Sequence, residues 1–327
     1  MSEGLRWPTI CGYMIEATPI PPPARIMVTG ATGFVGGYVV EELLRRGYRV
    51  RCLVRRGSES KLKRAGGLDW VVGDIRHAES VSRAAAGCQA GIHLVGIIAP
   101  TAGTSYSEIH VQGARNVVDA CTGQGVRRLV HLSALGAREG APWPYLGSKW
   151  EGEQIVRRSS LAFTVFRPSV IHGAGGEFTQ MLVRLARAPM CVPVPETGEG
   201  LLQPVWVKEV AWLVAQALLL PRTARRVYEV GGAQVCTLEE LVQTVSRLVN
   251  GKRRCVIRIP RWLLAALAAV AEKVMKSPWL TREQVGLLAE TNVCSLGPAR
   301  EDFGFRPQGL EESLRTYLHR GYRLGAS

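Results

Sequence analysis

The stretch Arg25–Gly36, RIMVTGATGFVG, runs from an apolar strand into a turn whose glycines, Gly30, Gly33 and Gly36, have the spacing G-x-x-G-x-x-G. Glycines at such positions allow a tight turn, close approach of the backbone to a pyrophosphate and close packing of helix on strand. The helix predicted over residues 34–46 would direct its N-terminal amides at the phosphates. We therefore predict a dinucleotide site here rather than a structural turn. The predicted cofactor contacts in this turn are Gly30, Thr32, Gly33, Phe34, Val35 and Gly36.

Strand-like and helix-like runs alternate from Arg25 to about residue 171. After the first strand, further strands are predicted at 49–54, 70–72, 92–95, 129–132 and 163–166, and helices at 58–65, 78–86, 106–122 and 145–158. Such alternation indicates βαβ units and a parallel sheet covered on both faces. We predict an α/β fold: a doubly wound parallel sheet of the Rossmann type with a small, mostly helical C-terminal lobe.

The alternation breaks after residue 171, which predicts a domain boundary there. Gly- and Pro-rich loops are predicted at 173–176 and 188–200, helices at 207–220 and 238–249, and a strand at 227–230. The predicted dinucleotide-binding domain is 25–171 with about 205–232, and the predicted substrate or partner lobe is 172–204 and 233–327. Residues 1–24 have a proline cluster and no secretory-signal pattern, so we expect a disordered or extended lead-in outside the fold.

A helix predicted over Trp262–Val274 begins with ten uninterrupted apolar residues. One interpretation is a buried helix of the small lobe. The alternative is a helix that lies in a membrane interface or against an apolar partner, with nearby positive charge from Arg258, Arg261, Lys273 and Lys276.

The composition narrows the classes of function. The net charge is +14, but only seven of the 41 basic residues are lysine, and the densest basic cluster, residues 45–64, contains a single aromatic residue, Tyr48, which argues against a nucleic-acid partner. Among the eight cysteines there is no C-x-x-C pair, and no histidine lies at metal-ligand spacing from them, so we expect no metal and a reducing compartment.

No apolar run approaches the roughly 18 residues that cross a bilayer. We expect a cytoplasmic protein, with peripheral association at the inner face of the membrane as the alternative.

The end of the second predicted strand carries Arg55 and Arg56, and Arg55 lies 19 residues after Gly36. An acidic residue there would bind the ribose hydroxyl of NAD, whereas arginine suits a 2′-phosphate. NADP(H) is therefore the predicted cofactor, with NAD(H) as the alternative and a solvated strand end as the structural explanation. Predicted contacts further along the chain are Asp74 and Ile75 near the adenine, and Val95 and Gly96 at the end of the fourth strand. For Asp74 an Asx turn is an equal alternative.

Tyr145 and Lys149 are four residues apart in one predicted helix, so their side chains project from the same face. A tyrosine with an ordinary pKa of about 10 is a poor acid–base catalyst at neutral pH. A neighbouring ammonium favours its phenolate and could also hold the nicotinamide ribose. The pair is therefore the predicted catalytic centre.

The motifs TGATGFVG, YLGSK and FRPSVIHG, with a strand ending in Ser133, resemble the extended and atypical short-chain dehydrogenase/reductase family from Arg25 to about Tyr322. The resemblance implies that Tyr145 is the acid–base residue and that Lys149 orients it and the cofactor. It also implies a catalytic contribution from Ser133 and a segment flanking the nicotinamide. That segment includes Arg167, Pro168, Ser169 and Val170.

Four further stretches, EIHVQGARNVVDA, VHLSALGA, VYEVGGAQVCTLEELV and WLTREQVGLLAETNV, are similar to the branch containing the nucleotide-binding accessory subunit of respiratory complex I and its bacterial relatives. Two positions depart from active members. Ala134 follows Ser133 where a second hydroxyl usually assists the tyrosine, and His110 stands where an asparagine usually supports the lysine. We expect His110 to pack, with a polar relay as the alternative.

Two functions follow. The first is an NADP(H)-dependent reductase, dehydratase or epimerase that acts on a small or lipid-like substrate through Tyr145 and Lys149. The second is a non-catalytic NADPH-binding assembly or accessory subunit of a membrane-associated, respiratory-type complex.

Overall fold

The computed structural model describes residues 17–62, 64–101, 103–188, 191–196, 200–274, 281–320 and 322. The strands are β1 (Arg25–Thr29), β2 (Arg49–Val54), β3 (Leu68–Val72), β4 (Ala90–His93), β5 (Arg128–Leu132), β6 (Ala162–Pro168), β7 (Ile171–His172), β8 (Val192–Pro195), β9 (Leu201–Leu202), β10 (Val205–Trp206), β11 (Arg226–Val230), β12 (Cys236–Thr237) and β13 (Val256–Ile259). The α-helices are α1 (Phe34–Arg45), α2 (Ala78–Ala85), α3 (Gly113–Gly123), α4 (Pro144–Arg158), α5 (Glu177–Ala186), α6 (Val207–Ala217), α7 (Leu238–Asn250), α8 (Arg261–Val274), α9 (Arg282–Ala289), α10 (Gly297–Phe303) and α11 (Leu310–Arg315).

Seven strands form one sheet in the order β11-β6-β5-β4-β1-β2-β3. Every neighbouring pair in it is parallel, which confirms the predicted doubly wound fold. The strand order reverses between β1 and β4, and in open α/β sheets ligands bind outside the carboxyl ends of the strands at such a point. The fold therefore brings the glycine turn after β1 next to the segment after β4.

Apolar clusters cover both faces of this sheet, because its strands carry buried apolar side chains on both faces. A third cluster lies in the C-terminal lobe, where α5, α7 and α11 pack together around residues such as Leu182, Val245 and Leu314. The chain also returns to the sheet at its end, because Phe303 of α10 packs on Phe166 and Tyr228.

Several local predictions need correction. The described residues of 58–65 form only one short 3₁₀ turn, Glu59–Lys61, because Leu62 is the one apolar residue that they bury. The helix predicted at 106–122 begins instead as a π-helical segment, Ser107–Gln112. Within the predicted lead-in, Ile20 is buried, and its backbone amide donates to the carbonyl oxygen of Leu218.

The predicted loop 188–200 contains a strand, β8, which pairs in parallel with β13. Its sequence, VPVP, places prolines at alternate positions. The ladder uses the amides of Val192 and Glu196, which donate to Cys255 and Ile259, so the prolines are tolerated although they have no amide hydrogen to donate. Helix α5, which precedes this strand, was not predicted.

Candidate functional site

The turn between β1 and α1 has the geometry that the glycines predict. Gly30 has φ +81°, a conformation that favours glycine, and a Cβ on Gly36 would overlap the carbonyl oxygen of Gly30. Helix α1 begins after Gly33 with no side-chain cap and no acidic residue in its first turn. Its first amides are therefore available to an anion at the positive end of the helix dipole, and the turn fits the pyrophosphate of a dinucleotide.

At the expected adenosine end, Arg55 and Arg56 directly follow β2 and are exposed. Neither side chain has a hydrogen bond or ion pair with another described residue. The amide of Gly73 donates to the carbonyl oxygen of Val54, so the ends of β2 and β3 lie side by side. The two arginines thus border the same edge as Asp74, as the sequence predicts.

The Asp74 carboxylate is already engaged by Arg76. It accepts hydrogen bonds from the Arg76 backbone amide at 2.9 Å and from two guanidinium nitrogens at 3.0 Å. These bonds lower the pKa of Asp74. Asp74 therefore forms the Asx turn that was the alternative prediction, and Arg76, which was not among the predicted site residues, is its partner. The next carbonyl, that of Ile75, accepts from the Asn116 side chain at 2.8 Å.

Lys149 lies where β4 and β5 end. Its ammonium donates to the carbonyl oxygen of Leu132 at 2.7 Å, and a Cβ on Gly96 would stand 3.7 Å from Nζ. Burial lowers the pKa of Lys149 to about 8, against an opposing effect of Glu153. Gly96 thus lies beside the lysine, and the preceding Val95 lies beside the glycine turn, because a Cβ on Gly30 would stand 3.0 Å from the Val95 amide nitrogen.

Tyr145, one turn before Lys149 on α4, is half-buried. Its ring meets those of His110 and Tyr106 edge-on, with centroids 5.8 and 6.1 Å apart. Burial first, and then the Glu283 carboxylate, raise the pKa of Tyr145 to about 12. The expectation that the neighbouring Lys149 ammonium favours the phenolate is wrong, because burial and the Glu283 charge raise the pKa instead. The phenol is protonated at neutral pH, and in this state the group can donate a proton.

His110 does more than pack. Its Nε2 accepts from the amide of Ile97 at 3.0 Å, so Nδ1 carries the proton and donates to Ser148 Oγ at 2.8 Å. Ser148 in turn donates to the carbonyl oxygen of Tyr145. The ring also stacks on Tyr106 at 5.5 Å. His110 therefore links the segment after β4 to helix α4, so the polar alternative considered for this residue is closer to the structure than simple packing.

Behind Lys149 lies a buried polar cluster. Ser133 Oγ has no hydrogen-bond partner among the described residues, and neither ring nitrogen of His131 has one. His131 stacks on His93 with ring centroids 5.1 Å apart, and His93 Nδ1 shares a 2.7 Å hydrogen bond with Thr29 Oγ1. Burial lowers the pKa of both histidines, so they are neutral in the folded protein.

Helix α9 of the C-terminal lobe covers the start of α4. Glu283 accepts from the amide of Tyr145 at 2.7 Å and from the Tyr106 hydroxyl at 2.8 Å. Glu290 accepts from the Trp143 indole at 2.8 Å. A Cβ on Gly286 would overlap the Trp143 ring, so the helix lies directly on the indole. No local pattern in the sequence relates these residues to α4, so they were not among the predicted site residues.

Asn292 holds the segment expected beside the nicotinamide. Its Oδ1 accepts from Ser169 Oγ at 2.5 Å and from the amide of Val170 at 3.1 Å. Pro168 ends β6, and its carbonyl oxygen accepts from the amide of Leu135 at 2.9 Å. The predicted contacts Pro168 and Val170 are thus fixed by residues from two other parts of the chain.

The helix predicted at 262–274 is present as α8, and its described side chains at 262–269 are buried on one side and exposed on the other. Leu264 and Ala268 pack against Val285 of α9, whereas Trp262 is 72% exposed and Leu267 46% exposed. Leu263, with 37% exposure, belongs to the same open face. Among the described residues, no helix combines the length and apolarity that a membrane crossing requires.

This fold and glycine turn define a dinucleotide-binding protein of the Rossmann type, and comparisons with known proteins agree. A family model described as NAD(P)H-binding matches residues 30–183. The chain is 30% identical over 305 residues to NADH dehydrogenase (ubiquinone) 1 alpha subcomplex subunit 9, mitochondrial, of Dictyostelium discoideum, with 91% of this chain and 85% of that protein covered. The chain belongs to the extended short-chain dehydrogenase/reductase family, in the branch that includes this complex I subunit.

Enzymes also resemble the chain. It is 29% identical over 328 residues to the 2-alkyl-3-oxoalkanoate reductase of Stenotrophomonas maltophilia, with 89% of this chain and 97% of that protein covered. The Bordetella bronchiseptica enzyme WbmH, solved in complex with NAD+, superposes with a TM-score of 0.70 at 19% identity and covers 89% of this chain and 96% of its own. That structural likeness supports the fold.

Proposed function

We propose that this protein is an NADPH-dependent reductase that converts a carbonyl group of a small or lipid-like substrate to an alcohol. The observation that carries the proposal is the placement of Tyr145, a half-buried phenol that is protonated at neutral pH, one turn before Lys149, whose ammonium lies at the end of β5 beside Gly96. Reduction of a carbonyl needs such a donor. The similarity to a 2-alkyl-3-oxoalkanoate reductase supports the same class of reaction.

Each residue has a distinct role in this proposal. NADPH, when bound, supplies the hydride to the carbonyl carbon. Tyr145 donates its phenolic proton to the carbonyl oxygen. Lys149, held by the carbonyl oxygen of Leu132, stabilises the resulting phenolate and binds the nicotinamide ribose. His110 and Ser148 keep helix α4 in register with the end of β4.

NADP(H) rather than NAD(H) is proposed because Arg55 and Arg56 are exposed at the end of β2 and no described acidic residue pairs with them. Titration of purified protein should give tighter binding of NADPH than of NADH, and Arg55→Glu should abolish the difference. Arg49→Glu, an exposed arginine at the opposite end of β2, is the control and should preserve it. Equal affinities in the wild type would remove the role of Arg55.

Turnover is tested with a panel of ketones that ranges from small to long-chain. We expect NADPH consumption that Tyr145→Phe abolishes while NADPH binding remains. Activity unchanged in Tyr145→Phe would contradict the reductase proposal.

A second function is favoured by a different observation, the match to a complex I subunit along 91% of the chain together with the open apolar face of α8. In this proposal the protein is an NADPH-binding accessory or assembly subunit at the cytoplasmic face of a membrane.

If this second function is correct, the Tyr145→Phe variant should complement a deletion strain fully. The protein should sediment with membranes, and Trp262→Glu with Leu263→Lys should release it. A wild-type protein absent from the membrane fraction would contradict this function.

A further inference from the structure

Cys191 and Cys255 stand opposite each other at the start of two paired strands. The register of β8 and β13 pairs Val192 with Val256, so the two cysteines are partners one residue earlier. The amide of Val192 donates to the carbonyl oxygen of Cys255 at 2.7 Å, which extends the ladder to this position. Partners on adjacent strands are about 4.8 Å apart. Disulfides span Cα separations of about 4.4–6.8 Å, so no rearrangement of the backbone is needed.

Cys191 and Cys255 are also more accessible to solvent than most of the other described cysteines. Cys255 is exposed and Cys191 is half-buried, whereas Cys52, Cys88, Cys121 and Cys236 are buried. A hydrogen bond with the Cys255 side chain raises the pKa of the Cys191 thiol, which shows that the two side chains interact. Burial raises the pKa of Cys294, the remaining half-buried cysteine.

We propose that Cys191 and Cys255 form a reversible disulfide in response to hydrogen peroxide. The exposed Cys255 thiolate attacks one peroxide oxygen, the O–O bond breaks, and the departing hydroxide takes up a proton to become water. Cys255 is now a sulfenic acid. The Cys191 sulfur then attacks the Cys255 sulfur, the S–O bond breaks, and a second water leaves with the thiol proton. Two thiols lose two electrons and two protons, and one peroxide is reduced to two waters.

The disulfide between Cys191 and Cys255 would restrain the part of the C-terminal lobe that covers Tyr145. Strand β13 continues through Pro260 into α8, and α8 packs on α9 through Leu264 and Val285. Helix α9 carries Glu283, which binds the amide of Tyr145. The disulfide therefore links β8 covalently to the strand that leads into α8 and α9. It also closes a long loop in the unfolded chain, which lowers the entropy of the unfolded state and so stabilises the folded state.

The test uses full-length protein in which Cys11, outside the described residues, is replaced by serine. The reduced protein is treated with a small excess of hydrogen peroxide, free thiols are alkylated, and peptides are mapped without reduction. We expect one linked pair, Cys191 with Cys255, that dithiothreitol reverses. Oxidation should raise the melting temperature. A linkage between other cysteines, or over-oxidation of Cys255 without a linkage, would overturn the proposal.

Two variants complete the experiment. Cys191→Ser should leave Cys255 as a sulfenic acid that a dimedone probe captures, and its melting temperature should not rise with peroxide. Cys294→Ser is the matched control, because it removes a half-buried thiol elsewhere and should leave the linkage and the rise unchanged. A rise in melting temperature that persists in Cys191→Ser would assign the stabilisation to a different oxidation and would also overturn the proposal.

Discussion

The backbone amide of Tyr145 donates to the Glu283 carboxylate at 2.7 Å, although 138 residues separate the two in sequence. Helix α4 has no acidic residue in its first turn and no side-chain cap of its own. The C-terminal lobe therefore supplies the negative charge that a helix N-terminus favours. Because the same carboxylate helps to keep Tyr145 protonated, the docking of this lobe and the state of the candidate catalytic group are coupled.

Glu283→Gln tests this coupling. Removal of the charge should lower the pKa of Tyr145 while leaving it above the ordinary value, because burial remains. Loss of the charged cap should reduce the free energy of unfolding by about 1 kcal/mol. The pKa is measured by ultraviolet difference titration against Tyr145→Phe. Glu290→Gln, which weakens the other anchor of α9 at Trp143, should leave the Tyr145 titration unchanged; an equal shift in both variants would contradict a direct effect of Glu283.

Lys149→Met is expected to change the pH dependence of stability. The pKa of Lys149 is lowered from 10.5 to about 8, so between these values the unfolded chain holds a proton that the folded protein lacks. Wild-type stability should therefore gain about 3 kcal/mol from this group as pH rises through that window, with no such slope below it. The gain should be absent in Lys149→Met. Urea unfolding of cofactor-free protein at a series of pH values measures it.

Lys208→Met, at an exposed position, is the control for that series and should follow the wild-type curve. Parallel curves for Lys149→Met and the wild type would show that Lys149 is not buried as a cation.

His131→Phe should be neutral or stabilising by about 1 kcal/mol near neutral pH. The ring is 2% exposed and its nitrogens have no partner among the described residues, so phenylalanine removes two costly polar atoms and keeps the packing. Because burial lowers the pKa of His131 well below 6.5, the wild type should lose stability as pH falls below that value. The variant should lose about 1.4 kcal/mol less per pH unit there.

Thermal and urea unfolding at several pH values measure this difference, with the exposed His319→Phe as control. A large loss of stability for His131→Phe at neutral pH would mean that the imidazole makes polar contacts that phenylalanine cannot replace.

Gly36→Ala should abolish cofactor binding and reduce stability by about 1–3 kcal/mol, because its Cβ would overlap the carbonyl oxygen of Gly30 and force the turn apart. Gly37→Ala is the matched control. It lies one residue along the same helix with nothing within 4 Å of an added Cβ, so it should bind normally and be stabilised by about 0.5–1 kcal/mol. Fluorescence titration with NADPH and thermal unfolding separate the two variants. Normal binding by Gly36→Ala would contradict the assignment of this turn.

Local patterns predict the features of this chain that depend on near neighbours. The Gly30–Gly36 turn and the same-face placement of Tyr145 and Lys149 follow from spacing within one strand–turn–helix unit or one helix. The segment 58–65 was overpredicted as a helix because its charged residues have adequate propensity, yet it has too little apolar surface to pack. Residues 192–195 were predicted as a loop because proline is rare in strands, and only their pairing with β13 shows why it is tolerated.

The sequence by itself therefore determined the alternation of strands and helices that forms the parallel sheet, the glycine turn after β1 and the placement of Tyr145 and Lys149 on one face of a helix. Only the tertiary structure decided that Glu283 caps α4, that Asn292 holds Val170, and that His110 joins Ile97 to Ser148. These contacts join elements whose separation in sequence carries no periodic signal. They exist because the apolar surfaces of the lobe and the sheet pack in one arrangement, and this arrangement sets which polar groups meet.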